Sequence, residues 1–366
     1  MRITLVINSL GGGGAERVLT RLAGGLARAG HRTDIVTLDP SIPDFYQVPS
    51  GVARTAAKAP AGECRWYQLS RQLARMRALR RAASGQGPDL LISFVDATNI
   101  LTLAAFRGSG VPVIVCEHTD PSMHRIGPHW ELLRRLLYPS AARVVMLTED
   151  ALRRARSMVP AWNAVAIPNP VPAPVFAPGA ARPAFFGPGR NAVAMGRLYD
   201  YKGFDLLLRA FAGLAGRFPD WNLTILGEGP ERAALETLRS ELGLAGRVAM
   251  PGASPAPHDA LKFADLFVLP SRYEGFGMAL AEAMACGVAP VSFDCPSGPG
   301  TIIRHGVDGL LVPPGDTGEL AEAMASLMGD DAGRKALAAR APEVVERFSE
   351  ENYLKAWEEL IRAVRP

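Results

Sequence analysis

The chain lacks any apolar run approaching the roughly 18 residues that cross a bilayer as a helix. Cysteine is scarce. The four cysteines, Cys64, Cys116, Cys286 and Cys295, show no C-x-x-C spacing, and three of them lie in apolar stretches. They read as buried free thiols of a reducing compartment, with metal ligation as the alternative. No D-x-D triplet occurs and no His/Asp/Glu group has metal-ligand spacing, so no metal is expected. Charged residues make up only 21% of the chain against 48% hydrophobic ones, which excludes a largely disordered protein. The opening MRITLVINSLGGGGAE is broken by glycine too early for a signal peptide and reads as a first strand.

What is present suffices for two domains with their own cores, since the chain has 366 residues. A net charge of +4 hides an asymmetry. Residues 1–170 carry 21 Lys/Arg against 12 Asp/Glu, whereas residues 171–366 carry 19 against 24. The basic half suits an anionic partner: nucleic acid, anionic lipid or a phosphorylated substrate.

Short apolar runs alternate with helix-length segments throughout. ITLVIN (3–8), TDIVTL (33–38), DLLISF (89–94), VPVIVC (111–116) and RVVML (143–147) read as strands of a parallel α/β sheet. Residues 167–188 then hold seven prolines and no periodicity, which ends regular structure because proline fixes φ and removes a donor. The alternation resumes with NAVAMG, NLTILG, RVAM, DLFVLP, APVSF and GLLVP. The expected organisation is an N-terminal Rossmann-like domain (1–170), a Pro-rich linker (171–188), a second Rossmann-like domain (189–345) and a C-terminal helix (346–366). Two such domains leave a cleft between them, a common ligand position.

The densest motif is PSRYEGFGMALAEAMACGVAPV (270–291), a strand end, a glycine-punctuated loop and a helix from about Met278. Gly275 and Gly277 let backbone N–H groups approach a ligand where the helix dipole favours phosphate. Glu274 in the loop and Glu282 in the helix are able to accept hydrogen bonds from sugar hydroxyls. The plainer reading makes them a capping neighbour and a solvated helix carboxylate. Gly12, Gly13 and Gly14 after the first strand signal close backbone approach, although they do not form a G-x-G-x-x-G dinucleotide fingerprint.

The spacing E-x7-E in that setting closely resembles the signature of retaining GT-B glycosyltransferases of the family 4 type. GRLYDYKGFDLLLRAF (196–211), DGLLVPPGD (308–316), SLGGGGAERV (9–18) and the terminal FSEENYLKAWEELI resemble further segments of that family, in order along the chain. The resemblance implies two Rossmann-like domains facing across a cleft, with the last helix returning to the first domain. It implies that Arg197 and Lys202 grip the donor diphosphate and stabilise charge on the leaving group. Glu274 would contact the transferred hexose and Glu282 the nucleotide ribose, with Gly275, Phe276, Gly277 and Met278 supplying backbone amides. Gly12, Gly13 and Gly14 match the loop that closes over phosphates and acceptor. Glu16 belongs to the same motif, although an acid at a helix start is also simply favourable there. His118 matches the histidine that contacts the transferred sugar, with a structural histidine as the alternative. Asp120 is an acceptor-side candidate. The segment SFDCPSGPGTIIRHG (292–306) departs from the family pattern, because Thr301 stands where glutamate is usual; that contact is either missing or supplied by Ser297 or the Thr301 hydroxyl.

The implied activity is retaining, metal-independent transfer of a hexose or N-acetylhexosamine from a nucleotide-sugar, expected to be a UDP-sugar. The acceptor would be a saccharide or a polyprenyl-diphosphate-linked glycan in bacterial surface polysaccharide assembly. No cofactor and no nucleic-acid partner are expected, and no general base is assigned. A GT-B-type UDP-sugar epimerase and a non-catalytic nucleotide-sugar-binding scaffold are the alternatives. RWYQLSRQLARMRALRRAA (65–83) adds a basic helix with Trp66, Leu69, Leu73 and Met76 at helical spacing and Arg71, Arg75, Arg77, Arg80 and Arg81 around them. Arg134, Arg135, Arg153, Arg154 and Arg156 extend the charge. This pattern fits either an ordinary packed helix or peripheral attachment to an anionic membrane surface, hence a cytoplasmic protein on the inner face of the membrane.

Overall fold

The computed structural model describes residues 1–57, 68–159, 161–254 and 256–364. It forms two compact units, Met1–Asn169 with Glu351–Pro366 and, between them in sequence, Pro170–Glu350. The Pro-rich stretch groups with the second unit.

Unit 1 holds a parallel sheet of β1 (Arg2–Ile7), β2 (Arg32–Thr37), β3 (Ala53–Ala56), β4 (Leu90–Phe94), β5 (Val113–Cys116), β6 (Arg143–Met146) and β7 (Ala164–Ala166). Its order is β3-β2-β1-β4-β5-β6-β7. The helices are α1 (Gly14–Arg28), α2 (Gln68–Ser84), α3 (Asp96–Phe106), α4 (Pro128–Leu137) and α5 (Glu149–Met158). Strand side chains alternate between faces, and the core divides accordingly. Leu5, Ile7, Ile92, Ile114 and Val145 pack with Val18, Leu22 and Leu26 of α1. Val6, Val36, Leu91, Val115 and Val144 pack with residues of α2, α3 and α5 on the other side.

Unit 2 holds a parallel sheet of β8 (Arg190–Met195), β9 (Trp221–Leu226), β10 (Val248–Gly252), β11 (Leu266–Leu269), β12 (Pro290–Phe293) and β13 (Leu310–Val312). Its order is β10-β9-β8-β11-β12-β13. Helices α6 (Phe204–Ala215), α7 (Arg232–Glu241), α8 (Pro257–Leu261), α9 (Met278–Ala285), α10 (Pro299–Ile302), α11 (Thr317–Gly329), α12 (Asp331–Arg340) and α13 (Val344–Arg347) complete it. Each crossover from one parallel strand to the next must span the sheet, which explains why helix-length segments separate most of the apolar runs.

The last helix, α14 (Glu350–Ala363), returns to unit 1. Its stripe Tyr353, Trp357, Leu360 and Ile361 is buried in the core that faces α1. Residues at i, i+4 and i+7 share one side of a helix, so a single apolar stripe suffices to dock it.

Candidate functional site

In unit 2 the strand order reverses between β8 and β11, and doubly wound sheets take ligands beyond the strand C-termini at such a reversal. Both strands deliver expected residues there. β8 ends at Met195 and leads past Arg197 into a 3-10 turn, Asp200–Lys202. β11 ends at Leu269 and leads to Ser271 and Glu274. Lys202 Nζ donates to Glu274 Oε1 at 2.6 Å, and the Ser271 hydroxyl donates to the same oxygen at 2.7 Å. Glu274 is buried, at 7% exposure, and these two donors offset the cost of burying its carboxylate. Glu274 is therefore not a capping neighbour. Sequence reasoning missed Ser271, which only the folded turn identifies.

Arg197 is exposed. Its guanidinium carbon lies 5.3 Å from the Tyr199 ring centroid, and Nη2 donates to the Tyr201 hydroxyl at 3.2 Å. Tyr201 stacks on Tyr273 with centroids 4.9 Å apart and planes 18° apart, and Lys202 Nζ lies 5.4 Å from the Tyr201 centroid. The two loops thus share an aromatic floor that the sequence did not reveal. Gly203 makes their approach possible. Its φ is +66°, and a Cβ there would lie 2.0 Å from the Pro270 carbonyl oxygen. Arg272 ties the loops again, with a fork to Asp205 at 3.0 and 2.9 Å and its backbone N–H donating to the Tyr201 carbonyl at 2.8 Å.

Beyond Glu274, Gly275 and the buried Phe276 lead to Gly277, which takes φ +102° and begins α9 at Met278 without a capping side chain. Uncapped first-turn N–H groups beside a glycine suit an anion. The Ser297–Gly298 turn backs this loop: a Cβ at Gly298 would meet the Phe276 carbonyl oxygen at 2.4 Å and the Glu274 Cβ at 3.2 Å. Ser297 itself is buried with φ +58°. Thr301 lies half-buried in α10, its N–H donating to the Gly298 carbonyl at 2.8 Å. Glu282 is buried on α9, with its Oε2 3.9 Å from His258 Nε2, so it is not a solvated helix carboxylate. Burial, then the Glu282 charge, pushes the Cys286 thiol up to about 12. Burial, then Glu274, likewise raises Cys295, and both thiols stay protonated at neutral pH.

In unit 1 the reversal lies between β1 and β4. Gly12 and Gly13 follow β1, Gly13 precedes α1 in extended conformation, and Gly14 is its first residue. A Cβ at Gly13 would stand 2.2 Å from Glu16 Oε2, so that carboxylate folds back over the helix start. The Phe45 and Tyr46 N–H groups donate to the Leu10 carbonyl at 2.8 and 3.4 Å, laying a second loop beside the glycines. His118, just past β5, stacks on Phe94 at the end of β4, with centroids 5.0 Å apart. Its Nε2 is shut from solvent and has no hydrogen-bond partner among the described residues. Burial pushes the imidazole down to about 3, so it is neutral at physiological pH. Asp120 is buried and turned inward, its Oδ1 accepting from the Ser122 N–H at 2.8 Å and hydroxyl at 2.7 Å.

No motif in the sequence points to the cluster behind His118. Glu117 is buried and accepts from the Tyr138 hydroxyl, with Arg134 Nη1 3.9 Å away. Burial raises the Glu117 carboxyl to about 7, against the opposing charge of Arg134. Asn99 Nδ2 bridges the Cys116 carbonyl at 2.9 Å and the Tyr138 hydroxyl at 3.2 Å. Arg134 is thus a buried ion-pair partner and not part of a solvated basic surface.

The basic helix also differs from expectation. Within α2, Met76 packs inward with Ala78, Leu79 and Ala83, whereas Leu73 is exposed, so the expected Leu73/Met76 stripe divides between two faces. Arg75 donates to Asn8 Oδ1 at 2.9 Å, while Arg77, Arg80 and Arg81 face solvent. Cys64, Trp66 and the side chains of Leu69 and Arg71 lie outside the described residues. Among the described residues no group of three or more His, Cys, Asp or Glu could hold a metal ion.

Residues 183–344 match the family model described as glycosyl transferases group 1, and residues 13–170 match one described as glycosyl transferase 4-like domain. An exopolysaccharide phosphotransferase of Streptomyces coelicolor is 36% identical over 285 residues, covering 77% of this chain but only 29% of that longer protein. A Campylobacter jejuni enzyme is 27% identical over 368 residues, 100% of this chain and 99% of its own. Its name is GalNAc-alpha-(1->4)-GalNAc-alpha-(1->3)-diNAcBac-PP-undecaprenol alpha-1,4-N-acetyl-D-galactosaminyltransferase. Among solved structures, the Anabaena HepE protein in complex with UDP aligns with a TM-score of 0.79 at 20% identity, covering 99% of this chain and 100% of that one. That likeness is one of fold.

Proposed function

Because this chain belongs to the glycosyl transferases group 1 family, we propose that it moves a hexose or N-acetylhexosamine from a UDP-sugar to a saccharide or polyprenyl-diphosphate-linked acceptor. The setting is bacterial surface polysaccharide or glycan assembly. The observation that carries this reading is the convergence of Arg197, Lys202, Ser271 and Glu274 at the strand reversal of unit 2. Two cations and an uncapped helix start suit a diphosphate, and the adjoining carboxylate suits sugar hydroxyls. The full-length likeness to an enzyme whose name specifies a PP-undecaprenol acceptor supports a lipid-linked acceptor here.

In this reading Arg197, Lys202 and the amides of Gly277 and Met278 hold the diphosphate, while Glu274 orients the hexose and Glu282 the ribose. The acceptor oxygen bonds C1 as the C1–O bond to the diphosphate breaks, with retention at C1. The leaving diphosphate takes the acceptor proton. Charge on that leaving group is met by the cations of unit 2, so transfer proceeds without a divalent metal. Gly13 and Gly14 belong to the donor side, Gly12, Glu16 and Asp120 to the acceptor side, and neutral His118 donates or accepts a hydrogen bond to the transferred sugar. In this reading the protein works in the cytoplasm, peripheral to the membrane that carries its acceptor.

A panel of nucleotide-sugars, read by thermal shift and then by product analysis, tests the proposal, since a ligand that binds only the folded state raises its apparent stability. UDP-sugars should raise the melting temperature, and an added polyprenyl-diphosphate saccharide should gain one sugar. Conversion of a UDP-sugar into its epimer without acceptor would make the protein an epimerase. Binding without turnover for any acceptor would make it a scaffold.

A further inference from the structure

Arg197 and Lys202 stand at the strand reversal of unit 2 on long side chains, which have many rotamers to lose when they order around an anion. One residue stands against both. The Tyr201 hydroxyl accepts from Arg197 Nη2 at 3.2 Å, and the Tyr201 ring centroid lies 5.4 Å from Lys202 Nζ. A phenol oxygen accepts a hydrogen bond from a guanidinium, and the face of an aromatic ring attracts a cation, so one side chain is able to hold both charges. Tyr199 adds to the hold on Arg197, with its ring centroid 5.3 Å from the guanidinium carbon.

The Tyr201 ring is itself fixed by the loop that carries Glu274. Tyr273 stacks on it with centroids 4.9 Å apart and planes 18° apart, a separation at which aromatic rings attract. The backbone is pinned as well: the Tyr201 carbonyl accepts from the Arg272 N–H at 2.8 Å, and the Lys202 N–H donates to the Tyr199 carbonyl at 3.0 Å. Tyr201 and Tyr273 are half-buried and lie outside the hydrophobic core of unit 2, so their stack serves the two loops rather than the packing of the sheet. We propose that Tyr201, braced by Tyr273, is a positioning residue that holds Arg197 and Lys202 ready for the donor diphosphate. Its role rests on the diphosphate assignment proposed for these two cations and deepens it. Cations held in place need less ordering when the ligand arrives, and that is the basis of electrostatic preorganisation. A nucleoside monophosphate lacks the second phosphate and depends less on both cations being held.

Calorimetric titration of the purified full chain with UDP and with UMP, at one pH and salt, tests this role. The wild type should bind UDP more tightly than UMP. Tyr201→Phe keeps the ring and its stack but removes the oxygen that accepts from Arg197. It should weaken UDP binding about fivefold or more and leave UMP binding unchanged, at an unchanged melting temperature. Tyr273→Leu keeps the Tyr201 hydroxyl and removes its brace, and should shift the UDP-to-UMP ratio in the same direction. An equal ratio in wild type and Tyr201→Phe overturns the proposal. So does a Tyr201→Phe protein weakened equally for both nucleotides, which would make the ring a support of the loops alone. A wild type that binds UDP no more tightly than UMP would instead remove the diphosphate assignment itself, and the role of Tyr201 with it.

Discussion

Lys202 and Glu274 are 72 residues apart in the chain, yet their charged atoms meet at 2.6 Å. Because both side chains are largely buried, neutralising one leaves the other charge without its partner. Glu274→Gln should therefore cost about 3 kcal/mol of stability and also lower turnover. Combining it with Lys202→Met should recover most of that stability in urea unfolding without restoring turnover. Recovery of both would mean that the pair serves the fold alone. Glu117 makes a second, independent prediction. Its folded carboxyl is raised to about 7 from the ordinary value of 4.5, chiefly by burial, so the folded protein holds a proton that the unfolded chain releases. Stability from this group is lost as pH rises from about 4.5 to about 7 and is flat above. Glu117→Gln removes the titration, so its stability relative to wild type should improve from pH 5 to pH 8 in paired urea titrations. A constant difference would place the Glu117 ionisation elsewhere. Arg197, Lys202, Glu274 and Glu282 were singled out in the sequence by the resemblance of their motifs, and the fold brings Lys202 onto Glu274. Ser271, Tyr201, Tyr273 and the Glu117 cluster were not, because each gains its meaning from a partner brought in by the fold.

At the scale of elements, apolar runs identified every central strand. The two that escaped, β3 (ARTA) and β7 (AVA), are the edge strands of the unit 1 sheet, where short alanine-rich segments need little apolar alternation. α2 misled for a related reason: Ala78, Leu79 and Ala83 bury it, and alanines are a weak signal beside the more conspicuous Leu73. α14 was legible because its stripe contains Tyr353, Trp357 and Ile361. Trp357 is 1% exposed, and its truncation to alanine should cost about 3–5 kcal/mol, seen as a lower urea midpoint. A change below about 1 kcal/mol would be only that of a surface substitution and would show that α14 is not tied to the core of unit 1.

For the whole molecule, the charge asymmetry of the sequence matches the division of labour proposed for the two units. The acidic half contains the donor candidates, in which a few cations stand at one strand reversal, and the basic half suits an anionic acceptor. Transfer should persist in EDTA, and loss on chelation restored by Mg²⁺ or Mn²⁺ would assign the diphosphate to a metal. Most direct for the central claim is nucleoside diphosphate release from a UDP-sugar in the presence of a polyprenyl-diphosphate saccharide, compared between wild type and Arg197→Ala. Arg197 is exposed and its bonding to Tyr201 is peripheral to the core, so its truncation should leave the melting temperature unchanged. The account predicts acceptor-dependent release by the wild type and a fall of about 10²-fold or more in the variant. Equal rates in the two proteins, or no release from any nucleotide-sugar by the wild type, would contradict it.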